Sequence, residues 1–258
     1  MANDAHEYCT RKPGWEHDMM TRRDILAGSM LIGGAAMAQS SEKSSDTATR
    51  GDAFLGKHAI QPLPFDPKKL SGFSEKLLVS HHDNNYAGAV KNLNKVEVEL
   101  SKVGPDTPGF TVAGLEAAKL KFTNSMILHE MYFGNLGGDG KAAGSQTERV
   151  LVQAYGSRAR WEELFRALGN SLGGGSGWAI LDWDFDAHGP RIYWAGDHTT
   201  AVAFGAPLLV MDMYEHAFAI DYGASAKDYI EAFFKNIHWA EVERRLGRAQ
   251  KADAALRG

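Results

Sequence analysis

The side chains best suited to act together are Asp212 and His216. An apolar run, Leu208 to Met211, follows the turn residue Pro207 and stops at Asp212, with His216 in the next turn of chain. A short apolar run after a turn residue predicts a buried strand, with Asp212 at its end and His216 in the turn or helix beyond. A carboxylate and an imidazole leaving one strand end can give a transition metal two ligands. The same spacing also fits a plain buried Asp–His hydrogen bond.

Two further imidazoles, His81 and His129, fall within helical patterns upstream. From Phe73 to Val103, Leu77, Leu78, Tyr86, Val90 and Leu93 recur at helical spacing, with Ser74 and Glu75 able to cap. Gly104–Gly109 reads as a loop. A second helix is predicted from Val112 or Ala113 to Leu136, stopped by Gly137-Gly138. Two long helices joined by a loop make an antiparallel hairpin, which can carry His81 and His129 to one point. Taken singly, His81 or His82 could be merely exposed and His129 a hydrogen-bonded core histidine. Residues 145–170 carry helical patterning. Strands are predicted at about 178–184 and 190–195 around the turn Asp186–Pro190, then at 207–212, with helices at about 215–222, 226–237 and 240–250. His188 reads as a turn residue, His82 as a surface residue and His238 as a surface or capping residue.

The chain has 258 residues, 44% hydrophobic and 23% charged, which suits one or two globular domains. A formal charge of −4 gives no sign of a nucleic-acid or acidic-membrane partner. The single cysteine, Cys9, can form no intramolecular disulfide. Thr21-Arg22-Arg23-Asp24-Ile25-Leu26 matches a twin-arginine pattern, followed by a Gly/Ala-rich apolar stretch and a small-x-small site at Ala36–Ala38. Residues 1–38 are therefore expected to be a signal peptide, too short and glycine-rich to span a membrane, and 39–57 a flexible leader. This export route carries folded proteins, so it suits a metalloenzyme of a bacterial periplasm, with no membrane association after the signal is removed.

Asp212-Met-Tyr-Glu-His216-Ala closely resembles the D-x-W-E-H-A motif of the iron/manganese superoxide dismutase family, with Tyr214 in place of Trp. The stretch Ser80–Tyr86, aligned through Asn92-Leu93-Asn94, resembles that family's first-helix motif. Leu128–Leu136 resembles its second, and Gly175-Ser-Gly-Trp178 the start of its sheet. Together these cover roughly residues 60–245. The resemblance implies an α+β fold: an N-terminal long helical hairpin (58–140), then an α/β domain (141–250) with a small, about three-stranded antiparallel sheet, and a tail (251–258). It implies one Fe or Mn per chain, held by His81, His129, Asp212 and His216, with Trp178, Tyr132 and Asn85 around it. Three imidazoles and a carboxylate without thiolate suit either metal.

The implied reaction is disproportionation of superoxide to oxygen and hydrogen peroxide. A glutamine usually orients the metal-bound solvent in the family; here Ser125 stands at one such position, and His198 is assigned the role from the other. Glu215 matches a glutamate that crosses a two-fold interface, which implies a homodimer. The family's gate histidine and tyrosine are Asn85 and Ala89 here, and a second gate tyrosine is Ala219. The entrance is thus expected to be wider and poorer in proton donors. Two other readings follow: a metal-binding dimeric homologue without dismutase activity, and a metal-dependent redox enzyme taking a larger substrate.

Overall fold

The computed structural model of the chain describes residues 51–141, 143–200 and 202–258. The twin-arginine segment and the leader as far as residue 50 lie outside the described residues. The end of the assigned leader is docked: Gly56 N–H donates to Glu97 Oε2 at 3.0 Å, beside His58 N–H donating to Asn94 Oδ1 at 2.8 Å.

The first long helix comes in three pieces: α1 (Glu75–Ser80), a π-helical turn (His81–Tyr86) and α2 (Ala87–Leu100). Ser74 caps α1, its Oγ accepting from Leu77 N–H at 3.0 Å. Within the π turn, Ala87 N–H reaches back five residues to the His82 carbonyl. Such bulges insert an extra residue into a turn and are frequent at functional sites, and this one begins at His81. Periodicity over apolar positions does not register a single wide turn, so the sequence predicted one unbroken helix. His82 is not a surface residue: half-buried, its ring bonds the Gln61 carbonyl at 2.8 Å and tethers the preceding segment.

Helix α3 (Gly109–Gly134) starts before the predicted Val112, because the Pro108 carbonyl already accepts from Thr111 and Val112. Proline preset at a helix entrance explains the earlier start. The patterning over 145–170 divides into α4 (Ser145–Tyr155) and α5 (Arg158–Leu172). Gly156, at φ 83°, ends α4, and Ser157 Oγ caps α5 by accepting from Arg160 N–H at 3.0 Å.

Strands β1 (Trp178–Asp184), β2 (Gly189–Ala195) and β3 (Gly205–Asp212) form one antiparallel sheet in the order β2-β1-β3. The register sets Trp178 opposite Asp212. A 3₁₀ turn (Glu215–Ala217), α6 (Ala219–Tyr222), α7 (Ala226–Lys235) and α8 (Trp239–Arg257) complete the chain. The segment 251–258 is therefore not a tail. Helix α8 runs through it because Asp253, fully buried, accepts from His188 Nδ1 and from Arg257, both at 2.8 Å.

Hairpin and α/β part share a single apolar core running from Leu77 and Leu78 through Trp161, Trp178 and Tyr229 to Val242 and Leu246. Two buried hydrogen bonds fix the end of β3, and the first of them ties it to the hairpin. Asn135 Oδ1, just past α3, accepts from Val210 N–H at 2.9 Å, and Tyr229 on α7 donates its hydroxyl to the Asp212 carbonyl at 2.6 Å. The fold is α+β: helical hairpin first, then helices around a small antiparallel sheet. None of the helices among the described residues is long and apolar enough to cross a membrane.

Candidate metal centre

The four candidate ligands come from four separate places in the chain. His81 opens the π turn, His129 lies one turn from the end of α3, Asp212 ends β3, and His216 sits in the 3₁₀ turn beyond it. One ligand atom from each lies within 4.8 Å of all the others. Asp212 Oδ2 is the point of convergence, with the Nε2 atoms of His81, His216 and His129 at 3.1, 3.3 and 3.5 Å. Ligand atoms about 2.1 Å from a shared ion, at angles between 90° and 120°, stand about 3.0–3.6 Å apart. The spacings fit that geometry.

The protonation pattern fits as well. His129 Nδ1 donates to the Ser125 carbonyl at 2.6 Å, which fixes the tautomer and leaves the Nε2 lone pair directed inward. That Nε2 is buried and has no hydrogen-bond partner, a costly state unless a cation completes it. Burial, and then the neighbouring His81, pushes the His129 imidazole down to about 3. Burial also pushes His81 down. Burial alone would raise the Asp212 carboxyl, but the imidazoles of His216 and His81 outweigh it and hold the group well below the usual carboxylate range. Neutral imidazoles and an ionised carboxylate are the forms that bind metal, and the donor set fits Fe or Mn.

Around these ligands, the Trp178 ring meets His129 edge-on at 5.1 Å, and Tyr132 lies 5.2 Å from the His81 ring. The His198 ring is 6.1 Å from that of His129, and Trp178 Nε1 donates to His198 Nδ1 at 3.1 Å. Burial holds the His198 imidazole below its ordinary range. Tyr214 stacks between two histidines, 4.6 Å from His198 at 14° and 5.3 Å from His216 at 13°. The Glu215 side chain is exposed and makes no hydrogen bond or ion pair among the described residues.

A cavity of about 240 Å³ reaches the centre from outside, lined by Asn85, Gly88 and Ala89 on one side and by Lys121, Ser125, His129, His198 and His216 on the other. The first-helix wall carries no titratable group. Tyr86 turns away: its hydroxyl donates to Glu130 Oε1 and accepts from Gln61 N–H, both at 2.8 Å. A larger cavity, about 410 Å³, lies at Tyr155, Trp183, His188 and Arg191 and includes none of the four ligands. Two residues not expected from the sequence also serve the site: Lys121 at the cavity wall and Asn124, whose Nδ2 donates to the His198 carbonyl at 2.7 Å. Only a charge facing an anion-accessible helix side could have drawn attention to Lys121, and nothing local to Asn124 marks its distant partner.

Residues 143–245 match the family profile for the C-terminal domain of iron/manganese superoxide dismutases. The chain is 44% identical over 193 residues to superoxide dismutase [Fe] of Cupriavidus metallidurans, covering 74% of this chain and 98% of that one. It is 32% identical over 213 residues to superoxide dismutase [Fe] of Aquifex aeolicus, covering 79% and 98%. To superoxide dismutase [Mn] 1 of Halobacterium salinarum it is 28% identical over 200 residues, covering 76% and 98%. With 44% identity to one of these relatives over 98% of its length, the chain belongs to the iron/manganese superoxide dismutase family.

Proposed function

We propose that the protein is a superoxide dismutase that binds one Fe or Mn through His81, His129, Asp212 and His216. The observation that carries this is the convergence of three Nε2 atoms on Asp212 Oδ2 at 3.1–3.5 Å. When bound, the metal supplies a one-electron +2/+3 couple, through which two superoxide anions and two protons become oxygen and hydrogen peroxide. Asp212 contributes the one formal negative charge of the ligand set, and the Ser125 carbonyl keeps His129 in the ligating tautomer. Lys121 at the cavity wall favours entry of a small anion. His198, its Nδ1 occupied by Trp178, offers an Nε2–H donor to solvent at the centre, the role a glutamine fills elsewhere in the family. Ser125 is too short for that role, and its hydroxyl stays 3.3 Å from His129 Nδ1.

Glu215 and Ile220 are exposed beside His216, which supports a homodimer formed over this face, with each Glu215 reaching the partner's centre. Residues 1–38 act as a twin-arginine signal that delivers the folded protein to a bacterial periplasm. The uncharged first-helix wall of the cavity, Asn85 and Ala89, favours one second reading: turnover of a substrate larger than superoxide at the same metal.

The test is metal content measured together with superoxide dismutase activity, on the wild-type protein and on Asp212→Ala. About one Fe or Mn per chain in the wild type is expected, with metal affinity in the variant reduced beyond the roughly 10–100-fold typical of outer-shell changes and activity lost. Full metal loading with no superoxide activity would move the assignment to the larger substrate. No Fe or Mn after growth with both would overturn the ligand set. Sedimentation of Glu215→Ala and cell fractionation of Arg22→Lys/Arg23→Lys test the dimer and the export route.

A further inference from the structure

The His198 side chain is fixed by three contacts from three different elements. Trp178, at the start of β1, donates to its Nδ1 at 3.1 Å. Tyr214, just past β3, lies parallel to its ring, 4.6 Å away at 14°. Asn124 on α3 reaches across 74 positions of sequence and donates Nδ2 to its backbone carbonyl at 2.7 Å. His198 itself belongs to the connection between β2 and β3, which has no regular structure at that point. A side chain on such a loop keeps its direction only where neighbours impose it.

We infer that Asn124 and Tyr214 are positioning residues that aim the Nε2–H of His198 into the metal-side cavity, giving a loop histidine the fixed direction that a glutamine at the Ser125 position would have had from its helix. This rests on the proposed reading of the centre as a dismutase site, and it deepens that reading. Asn124 precedes Ser125 on α3, so the same turn of helix that lacks a long amide holds the loop supplying the substitute. Ser125 and His198 both line the cavity with His129 and His216, and the small side chain at 125 leaves space beside His129. The three contacts are not redundant. The Trp178 bond selects the ring tautomer, since an Nδ1 that accepts leaves the proton on Nε2. The Asn124 bond fixes the backbone from which the ring projects. Tyr214 blocks rotation of the ring plane and links it to His216, on which it also stacks at 5.3 Å.

The experiment uses the full chain and the variants Asn124→Ala, Asn124→Asp and Tyr214→Leu. Two readouts are taken. In metal-free protein, long-range ¹H–¹⁵N NMR of the histidine rings reports the His198 tautomer. In metal-loaded protein, the midpoint potential and the affinity for azide are measured beside kcat and KM. Wild type is expected to show one Nε2–H tautomer. Asn124→Ala and Tyr214→Leu are expected to show a mixture, with kcat/KM lower by about tenfold, a shifted potential and unchanged metal content. Asn124→Asp, which sets a carboxylate against a carbonyl, is expected to be at least as disruptive. Where one variant fails to fold, the other two carry the test. A single unchanged tautomer together with a wild-type potential in the folded variants would overturn the inference. Absence of dismutase activity in the wild type would instead overturn the functional reading, and the tautomer comparison would still decide the positioning role.

Discussion

Asp212 Oδ2 lies 3.1 Å from Nε2 of His81, a residue 131 positions away, and 3.3 Å from Nε2 of His216, four positions away. Near and distant partners are thus held equally close, which neither the hairpin nor the sheet could achieve alone. Asp212 is fixed at the strand end by its own carbonyl, which accepts from Tyr229, and by Oδ1, which accepts from Tyr214 N–H at 2.8 Å. His81 reaches it from the π turn packed against α3.

Metal removal should therefore destabilise the protein. Without the ion, His129 Nε2 is buried without a hydrogen-bond partner, and one carboxylate faces three imidazoles. An ion bound only to the folded state adds about 4 kcal/mol at a thousandfold excess over Kd. For a chain of this size that raises Tm by roughly 10 °C. Calorimetry of chelated and metal-loaded protein checks the shift, and equal melting temperatures would contradict a ligand role for these residues.

Gly177 connects α5's exit to Trp178, and its φ is 139°. A Cβ there would stand 2.2 Å from the Ala195 carbonyl oxygen and 3.1 Å from a Leu172 methyl. The Gly177 carbonyl also accepts from Met213 N–H at 2.9 Å, next to Asp212. Gly177→Ala combines an unfavourable backbone conformation with a backbone clash, so a loss of about 2 kcal/mol or more is expected. The urea midpoint measures it. Because Trp178 moves with the strand end, metal retention should weaken in the same variant.

Asp182 gives the pH dependence. It sits buried in the middle of β1, where the register to β3 shifts, with Oδ1 unpartnered. Burial pushes its carboxyl up to about 7. The unfolded chain ionises near the ordinary carboxylate value of about 3.9, so above that pH the folded state holds the extra proton. Stability from this group is therefore greatest below about pH 4 and declines as pH rises to 7, by roughly 1.4 kcal/mol per pH unit at most. Asp182→Asn should flatten that decline. Chemical denaturation of both proteins at several pH values between 5 and 8 tests the slope; parallel curves would contradict it.

Patterning marked the four ligands only as separate candidates, and the resemblance to the iron/manganese superoxide dismutase motifs joined them into one set. Asp212 interrupts an apolar run at its end, and His81 and His129 each interrupt an apolar helical face. The strand limits at Trp178 and Asp212 were legible from the same patterning. The π turn was not, since one extra residue hardly changes a period read over a whole helix. The extension of α8 over 251–257 was not, because it depends on Asp253 meeting His188 from a distant hairpin turn. The Asn124–His198 bond was not, because a side-chain amide bonding a loop carbonyl leaves no periodic trace. Local chemistry was readable, and the tertiary hydrogen bonds that aim it were not.

Asn85 offers the last prediction. It lines the cavity with Gly88 and Ala89, and the titratable groups lining that cavity are Lys121, His129, His198 and His216. Of these, His129 and His216 belong to the ligand set, and His198 is kept neutral by burial. Forming peroxide from superoxide takes up two protons, so delivery falls to solvent entering the cavity and to Lys121 at its wall. Rates should consequently fall with rising pH and show a solvent isotope effect. Asn85→His places an imidazole on the cavity wall from which a proton can be passed inward. A well-placed donor contributes about 10²-fold at the lower end of its range, so kcat should rise towards that limit while metal content stays unchanged. Pulse-radiolysis kinetics in H₂O and D₂O measure both effects. A variant with unaltered kcat and an unaltered isotope effect would place the limiting step outside proton delivery, in access of the anion or release of peroxide.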